Sequence, residues 1–318
     1  MPIIQITNTY RGKVLEIVRS CVPAGFSIRT LSENSRQELL EKIEDADYLL
    51  ASGRLRIDRE LLIRGSRLKM IQRTGVGLDS LDLDAIRASG LPLYVNPGVN
   101  SQSVAEHTLL LILACLRHLT LLDGNSKRGI WKKQEQGIET SELRGKTVGI
   151  IGMGSIGMKA AAMLRAFDAR VIYHSRHRIA GMPDAEYVGL DELYARADIV
   201  SLHCPLTPET EKMICAESLE KMRNGVILVN TARGGLINEA DLLAAIERGK
   251  VAFAGLDVFC EEPFSAGNAL VNSARVIATP HIGGVTSDAF FAMMSEAMTN
   301  FALFHAGRTE DIPGKRIV

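Results

Sequence analysis

From Thr147 to Ile151 the chain is a short apolar run. It passes without interruption into Gly152-Met153-Gly154-Ser155-Ile156-Gly157 and then into a helix-forming stretch from Met158 to Arg165. A strand, a glycine turn and a helix in that order constrain the fold more than any other feature. Gly152 permits a tight turn, and Gly154 lets backbone N–H groups approach a pyrophosphate. Ser155 and Ile156 open the helix toward that anion, and Gly157 allows close helix–strand packing. The glycine spacing alone is a weak signal, so the surrounding pattern decides. Strand candidates at 147–151, 170–174, 197–203, 226–230, 252–258 and 276–280 alternate with helical patterns. Six such strands are the number of a complete dinucleotide-binding sheet.

A second alternating series precedes it. Strand-like runs at 3–6, 27–31, 48–52, 69–72 and 91–95 are separated by helical patterns near 11–20, 35–44, 58–64 and 82–89. This βα alternation predicts a smaller parallel sheet covered on both faces. The turn-rich piece Asn96-Pro97-Gly98-Val99-Asn100 breaks the series, and Ser101-Gln102-Ser103-Val104 is expected to cap one long helix running to about Leu122. Ser287 to Gly307 reads as a last amphipathic helix.

Composition narrows the function. The 318 residues balance 37 basic against 37 acidic side chains, so no global field favours nucleic acid or an anionic membrane, and a small-molecule partner is expected. The five cysteines, Cys21, Cys115, Cys204, Cys215 and Cys260, are scattered, with no C-x-x-C pair and no cluster at zinc-ligand spacing. They are expected to be reduced, mostly buried thiols of a cytoplasmic protein, and no metal site is expected. The start lacks the basic and small-residue features of a signal peptide. The most apolar stretch, Thr108 to Leu116, is too short to span a bilayer.

Two places carry discriminating chemistry. A site selective for NAD usually places a carboxylate about 20 residues beyond the glycines, on the ribose 2′-hydroxyl. Here the second strand runs into Ser175-Arg176-His177-Arg178, and no acid occurs between Arg170 and Gly181. Ser175 can donate to a 2′-phosphate, and Arg176 and Arg178 can neutralise it, so NADP(H) is the expected coenzyme, with NAD(H) as the alternative. The second place is a trio. Arg233, Glu262 and His281 each stand just beyond a strand candidate, so a guanidinium, a carboxylate and an imidazole converge where open parallel sheets bind ligands. Any one alone has a bland reading, as surface ion-pairer, helix cap or buried histidine. His203, His107, His118 and His305 take packing roles by default.

From Leu143 through Gly284 the chain resembles the D-isomer-specific 2-hydroxyacid dehydrogenases, a family that includes glyoxylate and hydroxypyruvate reductases and phosphoglycerate dehydrogenases. The resemblance rests on Val148 to Gly157, His203-Cys204-Pro205-Leu206-Thr207, Asn230-Thr231-Ala232-Arg233-Gly234-Gly235, Gly255 to Pro263 and Thr279-Pro280-His281-Ile282-Gly283-Gly284. Arg73-Thr74-Gly75-Val76-Gly77-Leu78-Asp79, residues 96–107 and Gly129-Ile130-Trp131 also match. The resemblance implies an α/β protein with two domains: a Rossmann-type cofactor domain over 99–286 and a smaller flavodoxin-like substrate domain from 1–98 and 287–318. Hinges would lie near 96–103 and 283–287.

By that resemblance Arg233 would bind the substrate carboxylate and polarise the C2 carbonyl. His281 would protonate the C2 oxygen as hydride arrives, and Glu262 would orient His281 and favour its charged form. Gly75, Val76 and Gly77 would hold the carboxylate's other oxygen. Asp257 would hold the nicotinamide carboxamide, with Cys204, Pro205, Thr231, Ala232 and Gly283 also lining the coenzyme site. An anion-binding arginine common in relatives would be displaced here to Arg54 or Arg56. The implied activity is hydride transfer between NAD(P)H and a small 2-keto acid, of glyoxylate or hydroxypyruvate type, to give a D-2-hydroxy acid. A D-3-phosphoglycerate dehydrogenase-like enzyme and a dinucleotide-sensing corepressor-type binding protein are the alternatives. Formate dehydrogenases share the fold but carry Gln and Ser where this chain has Glu262 and Gly283. A homodimer through the cofactor domain, helped by 104–122, is also implied.

Overall fold

The computed structural model describes every residue except Arg54, Met182 and Pro183. The chain divides into two compact units, Met1–Asn100 with Val285–Val318, and Ser101–Gly284. The first unit begins with β1 (Ile3–Ile6), α1 (Gly12–Ser20), β2 (Ser27–Arg29), α2 (Arg36–Lys42), β3 (Tyr48–Ala51), α3 (Arg59–Arg64), β4 (Met70–Arg73), α4 (Leu83–Ser89) and β5 (Leu93–Val95). Three of these helix starts carry side-chain caps: Ser35, Asp58 and Asp82 accept from the N–H of Glu38, Leu61 and Ala85, whereas α1 has none at Arg11.

The second unit comprises α5 (Ser101–Leu116), α6 (Leu119–Lys127), α7 (Lys133–Gly137), β6 (Thr147–Ile151), α8 (Ser155–Ala166), β7 (Arg170–His174), β8 (Glu186–Tyr187), α9 (Leu190–Arg196), β9 (Ile199–Leu202), α10 (Ala216–Lys221), β10 (Val226–Asn230), α11 (Glu239–Glu247), β11 (Val251–Leu256) and β12 (Val276–Ala278). The chain then returns to the first unit through α12 (Ser287–His305) and β13 (Lys315–Arg316).

Strand order separates the two sheets. The first runs β13-β5-β4-β3-β1-β2, all parallel except β13, whose Lys315 and Arg316 pair antiparallel with Val95 and Tyr94. Without β13 this is the flavodoxin-like order. Its core lies on two faces: one gathers Leu39, Ile43, Leu49, Ile57, Leu61 and Ile71, the other packs Ile4, Ile6, Tyr48 and Met70 against Met294, Met298 and Phe301 of α12.

The second sheet is wholly parallel, in the order β12-β11-β10-β9-β6-β7-β8. That is the Rossmann order with one further strand beyond β11. Order reverses between β6 and β9, so the crevice for a ligand opens where those two strands end, at Gly152 and at His203-Cys204. The edge strand β8 was not expected from sequence. It has two exposed residues and no apolar run to announce it.

The single helix expected from 101 to 122 is two. α5 stops at Leu116, His118 adopts a left-handed backbone at φ 47°, and α6 leaves at 60°. His118 stacks on Phe253 with ring centroids 4.3 Å apart, which accounts for the bend. No single helix among the described residues is long and apolar enough to cross a membrane. The cysteines also differ from expectation. All five are free, but only Cys115 is buried and Cys260 is exposed.

Candidate active site

The glycine loop fits its expected ligand. Gly152 sits at φ 100°, and a Cβ there would lie 2.5 Å from the Cys204 backbone nitrogen, so the β6 and β9 ends approach as closely as backbone allows. A Cβ on Gly157 would lie 2.3 Å from Gly152 O. Around Gly154, by contrast, nothing lies within 4 Å of that position. Gly154 precedes α8 without a side-chain cap, and Met158 is the first residue to donate back to it. The N–H groups of Ser155, Ile156 and Gly157 therefore lack intrahelical acceptors, which is the donor set a pyrophosphate needs.

Around the crevice, Cys204 is half-buried and its thiol is pushed up to about 11 by desolvation, so it contributes packing, with Sγ against Met213 Sδ at 3.8 Å. The Pro205 carbonyl accepts from Thr210 Oγ1 at 2.7 Å. His203 bonds Ser201 Oγ at 2.9 Å, and burial pushes it down to about 4, which suits a neutral packing residue. Past β7, Ser175 Oγ donates to His177 O at 2.5 Å, while Arg176 and Arg178 stand exposed. Arg176 also helps to hold the Glu209 carboxyl below its ordinary value, behind the larger effect of a Thr207 hydrogen bond.

The trio assembles at the ends of β10, β11 and β12. Glu262 comes from six residues beyond the end of β11 rather than from the strand terminus itself. Its Oε1 accepts from the Phe259 N–H at 2.8 Å, which turns the loop back on itself, and its Oε2 is 2.8 Å from His281 Nδ1. The pair leaves Nε2 of His281 as the outward nitrogen. His281 is 43% exposed against 14% for Glu262, so the imidazole reaches solvent while its partner is shielded. Arg233 is half-buried and Nη1 donates to Ala232 O at 2.6 Å. Asn230, at the end of β10, fixes this loop by donating to Arg233 O at 2.8 Å and accepting from Ala232 N at 3.0 Å. Gly234 has no room for a side chain, since a Cβ would lie 2.0 Å from Phe259 C. The Arg233 and Glu262 loops are therefore in backbone contact.

Asp257 lies beneath His281, 2% exposed. Burial alone would raise its carboxyl, yet hydrogen bonds from His107, Thr279, Gly283 and Ile282 together hold it below the ordinary carboxylate range. It accepts Thr279 Oγ1 at 2.6 Å and Ile282 N at 2.9 Å on Oδ1, and Gly283 N at 2.8 Å on Oδ2. One acceptor direction on Oδ2 is left over. Asn230, Thr279, His107 and Ser103 were missed as site residues by sequence. The partners of Thr279, His107 and Ser103 are far away along the chain, and no local spacing reports them; those of Asn230 are only two and three residues on.

In the first unit, Gly75, Val76 and Gly77 follow β4. Arg73 organises that loop: Nε donates to Gly77 O at 3.1 Å, and Nη1 donates to Ala51 O at 3.2 Å and Gly53 O at 2.9 Å. Val76 is exposed, and a Cβ on Gly75 would meet nothing within 4 Å. Arg54 lies outside the described residues. No group of His, Cys, Asp or Glu among the described residues could hold a metal ion.

Residues 109–283 match the family model described as the D-isomer specific 2-hydroxyacid dehydrogenase, NAD binding domain. The chain belongs to this family. It is 39% identical over 256 residues to a hydroxypyruvate reductase of Thermotoga maritima, covering 80% of this chain and 83% of that one. It is 41% identical over 266 residues to a D-3-phosphoglycerate dehydrogenase of Mycobacterium tuberculosis, covering 82% of this chain and 50% of the relative. The chain thus spans about half the length of the phosphoglycerate dehydrogenases it matches. A solved D-lactate dehydrogenase from Aquifex aeolicus, complexed with NAD and lactic acid, superposes with a TM-score of 0.87 at 28% identity over 99% of both chains. The glycine loop of this chain is accordingly that of a nicotinamide dinucleotide domain.

Proposed function

We propose that the protein is an oxidoreductase acting on CH–OH donors, interconverting a small 2-keto acid and the D-2-hydroxy acid, with glyoxylate or hydroxypyruvate as the keto acid. The observation that carries this reading is the 2.8 Å pair of His281 Nδ1 and Glu262 Oε2, set beside Arg233 at the strand ends of a dinucleotide domain. A reduced nicotinamide coenzyme held at the Gly152–Gly157 loop would supply the hydride for C2. His281 Nε2 delivers the proton to the C2 oxygen, and the Glu262 carboxylate, on the opposite ring nitrogen, favours the charged imidazole that can do so. Arg233 pairs with the substrate carboxylate and polarises the carbonyl, a geometry for which a planar guanidinium is suited. Gly75, Val76 and Gly77 of the first unit are the further candidates for substrate binding. Asp257 turns its remaining acceptor direction to the nicotinamide carboxamide.

The coenzyme is NADP(H) in preference to NAD(H), supported by Ser175, Arg176 and Arg178 and by the absence of an acid between Arg170 and Gly181. The working form is a homodimer through the cofactor domain, supported by the exposed Leu110, Leu119, Leu121 and Trp131. The free cysteines support a reducing, cytoplasmic setting. The relationship to D-3-phosphoglycerate dehydrogenases favours a phosphorylated hydroxy acid as the second reading. A panel of 2-keto acids and 3-phosphoglycerate, each with NADPH/NADP and NADH/NAD, tests both: the highest kcat/KM is expected for hydroxypyruvate or glyoxylate with NADPH. Turnover of 3-phosphoglycerate alone selects the second reading, and no turnover of any member rejects both.

A further inference from the structure

One stripe of α5 connects the sheet to the proposed acid. Ser103, His107, Leu111 and Cys115 recur every four residues and so share one helix face. The lower half of the stripe is apolar and seats on β11: a Cβ on Gly255 would lie 2.9 Å from Leu111 Cβ and 3.4 Å from Cys115 Sγ, so this glycine lets helix and strand close together. The upper half is polar and lands on the loop that carries His281. Ser103 Oγ donates to Gly283 O at 2.6 Å. His107 Nε2 lies 2.9 Å from Thr279 Oγ1. Since the Thr279 proton is committed to Asp257 Oδ1, that oxygen accepts, and His107 must donate from Nε2. Thr108, the next residue, bonds Thr231 Oγ1 at 2.9 Å, two positions before Arg233.

The loop has a need for such anchoring. His281 sits at φ 56°, a left-handed backbone that costs a residue with a Cβ about 1 kcal/mol. The two N–H groups that follow it both end on Asp257, and Asp257 is itself fixed by Thr279 and His107. A Cβ at Gly283 would lie 2.9 Å from Asp257 Oδ2 and 3.2 Å from His107 Cδ2, so the contact is made without slack.

We propose that Ser103 and His107 are positioning residues for the reaction: through the relay His107 to Thr279 to Asp257, and through Gly283 O, α5 fixes the backbone that aims His281. The proposal rests on the reading of His281 as proton donor. It requires that loosening the relay lower kcat by acting through His281, by more than it weakens coenzyme binding through Asp257.

The test is His107→Phe, His107→Gln, Thr279→Val and Ser103→Ala in the full chain, each alone and combined with His281→Ala. Readouts are kcat, KM for the keto acid, Kd for reduced coenzyme, and the NMR signal of the His281 ring. His107→Phe and Thr279→Val should lower kcat by about tenfold to a hundredfold, the scale of a small misplacement of a reacting group, with a clearly smaller change in coenzyme Kd. Gln at 107 keeps an N–H for Thr279 and should recover most of the rate. In the His281→Ala background the same changes should cost nothing further, because the group they aim is gone. Ser103→Ala, which removes one bond and creates no clash, should show the same pattern more weakly, and it carries the test if the bulkier variants fail to fold. Equal losses in both backgrounds, or a coenzyme Kd that worsens in step with kcat, would overturn the proposal. An inactive parent whose His281 ring signal still broadens in His107→Phe and recovers in His107→Gln would reject the hydroxyacid reading and keep the anchoring. An active parent with indifferent variants would do the reverse.

Discussion

Two loops of the Ser101–Gly284 unit both leave the carboxyl ends of its strands, and they are built differently. The 279–283 loop is tied from below by Asp257, Thr279, His107 and Ser103, all buried or nearly so. The 175–178 loop is held by a short bond within itself, Ser175 to His177, and by a long one from Tyr187 Oη to Ser175 O at 3.4 Å, and presents two exposed arginines. On the proposed reading, a proton donor must be held within a fraction of an ångström of the reacting oxygen, which an anchored loop in low dielectric provides. On the same reading, a coenzyme phosphate can be met by solvated charge, which the 175–178 loop offers. Substitutions in the first loop should therefore act on chemistry and those in the second on coenzyme preference.

The largest effects are expected at the anchored site. His281→Ala should lose at least about a hundredfold in kcat with coenzyme binding intact, the usual scale of a positioned acid. Coenzyme titration beside steady-state kinetics checks this, and a variant that no longer binds coenzyme would show a structural effect instead. Arg233→Ala should lose comparable kcat and also raise KM for the keto acid, because carboxylate clamp and carbonyl polariser disappear together. Near-normal kinetics in the folded variant would break the assignment.

Glu262→Gln is a smaller change, in profile more than in rate. The carboxylate favours the protonated imidazole, so removing its charge makes proton loss easier, and the alkaline fall of reduction should move to lower pH. A pH–rate profile that coincides with the parent's would contradict the coupling.

Much of this arrangement was legible in sequence. The glycine loop sits in a strand–turn–helix whose apolar runs set the Rossmann-type sheet, and Arg233, Glu262 and His281 follow motifs long enough to be specific. What stayed hidden depends on distance along the chain or on weak local patterns. His107 looked like an ordinary helical histidine because its partners, Thr279 and Asp257, lie more than a hundred residues on. β8 has too few residues to make a period. The bend at His118 comes from stacking on Phe253, which no helix propensity reports.

At the loosely held loop, effects should be smaller and fall on specificity. Ser175→Asp with Arg176→Ala should shift the kcat/KM ratio toward NADH by about tenfold, since an acceptor for the 2′-hydroxyl replaces a phosphate partner at a screened surface. A parent that already prefers NADH would reduce the basic stretch to a solvated surface. The smallest change is expected from Glu209→Gln. It removes the acid that competes for Arg176, so the KM for NADPH should fall slightly while the KM for NADH stays constant. Equal changes for both coenzymes would remove Arg176 from the comparison.

The account stands most directly on the configuration and source of the product. Hydroxypyruvate incubated with reduced coenzyme and the parent protein should give D-glycerate alone by chiral analysis, and the same incubation with His281→Ala should give almost none. L-glycerate, or D-glycerate formed at the parental rate by the variant, would contradict it.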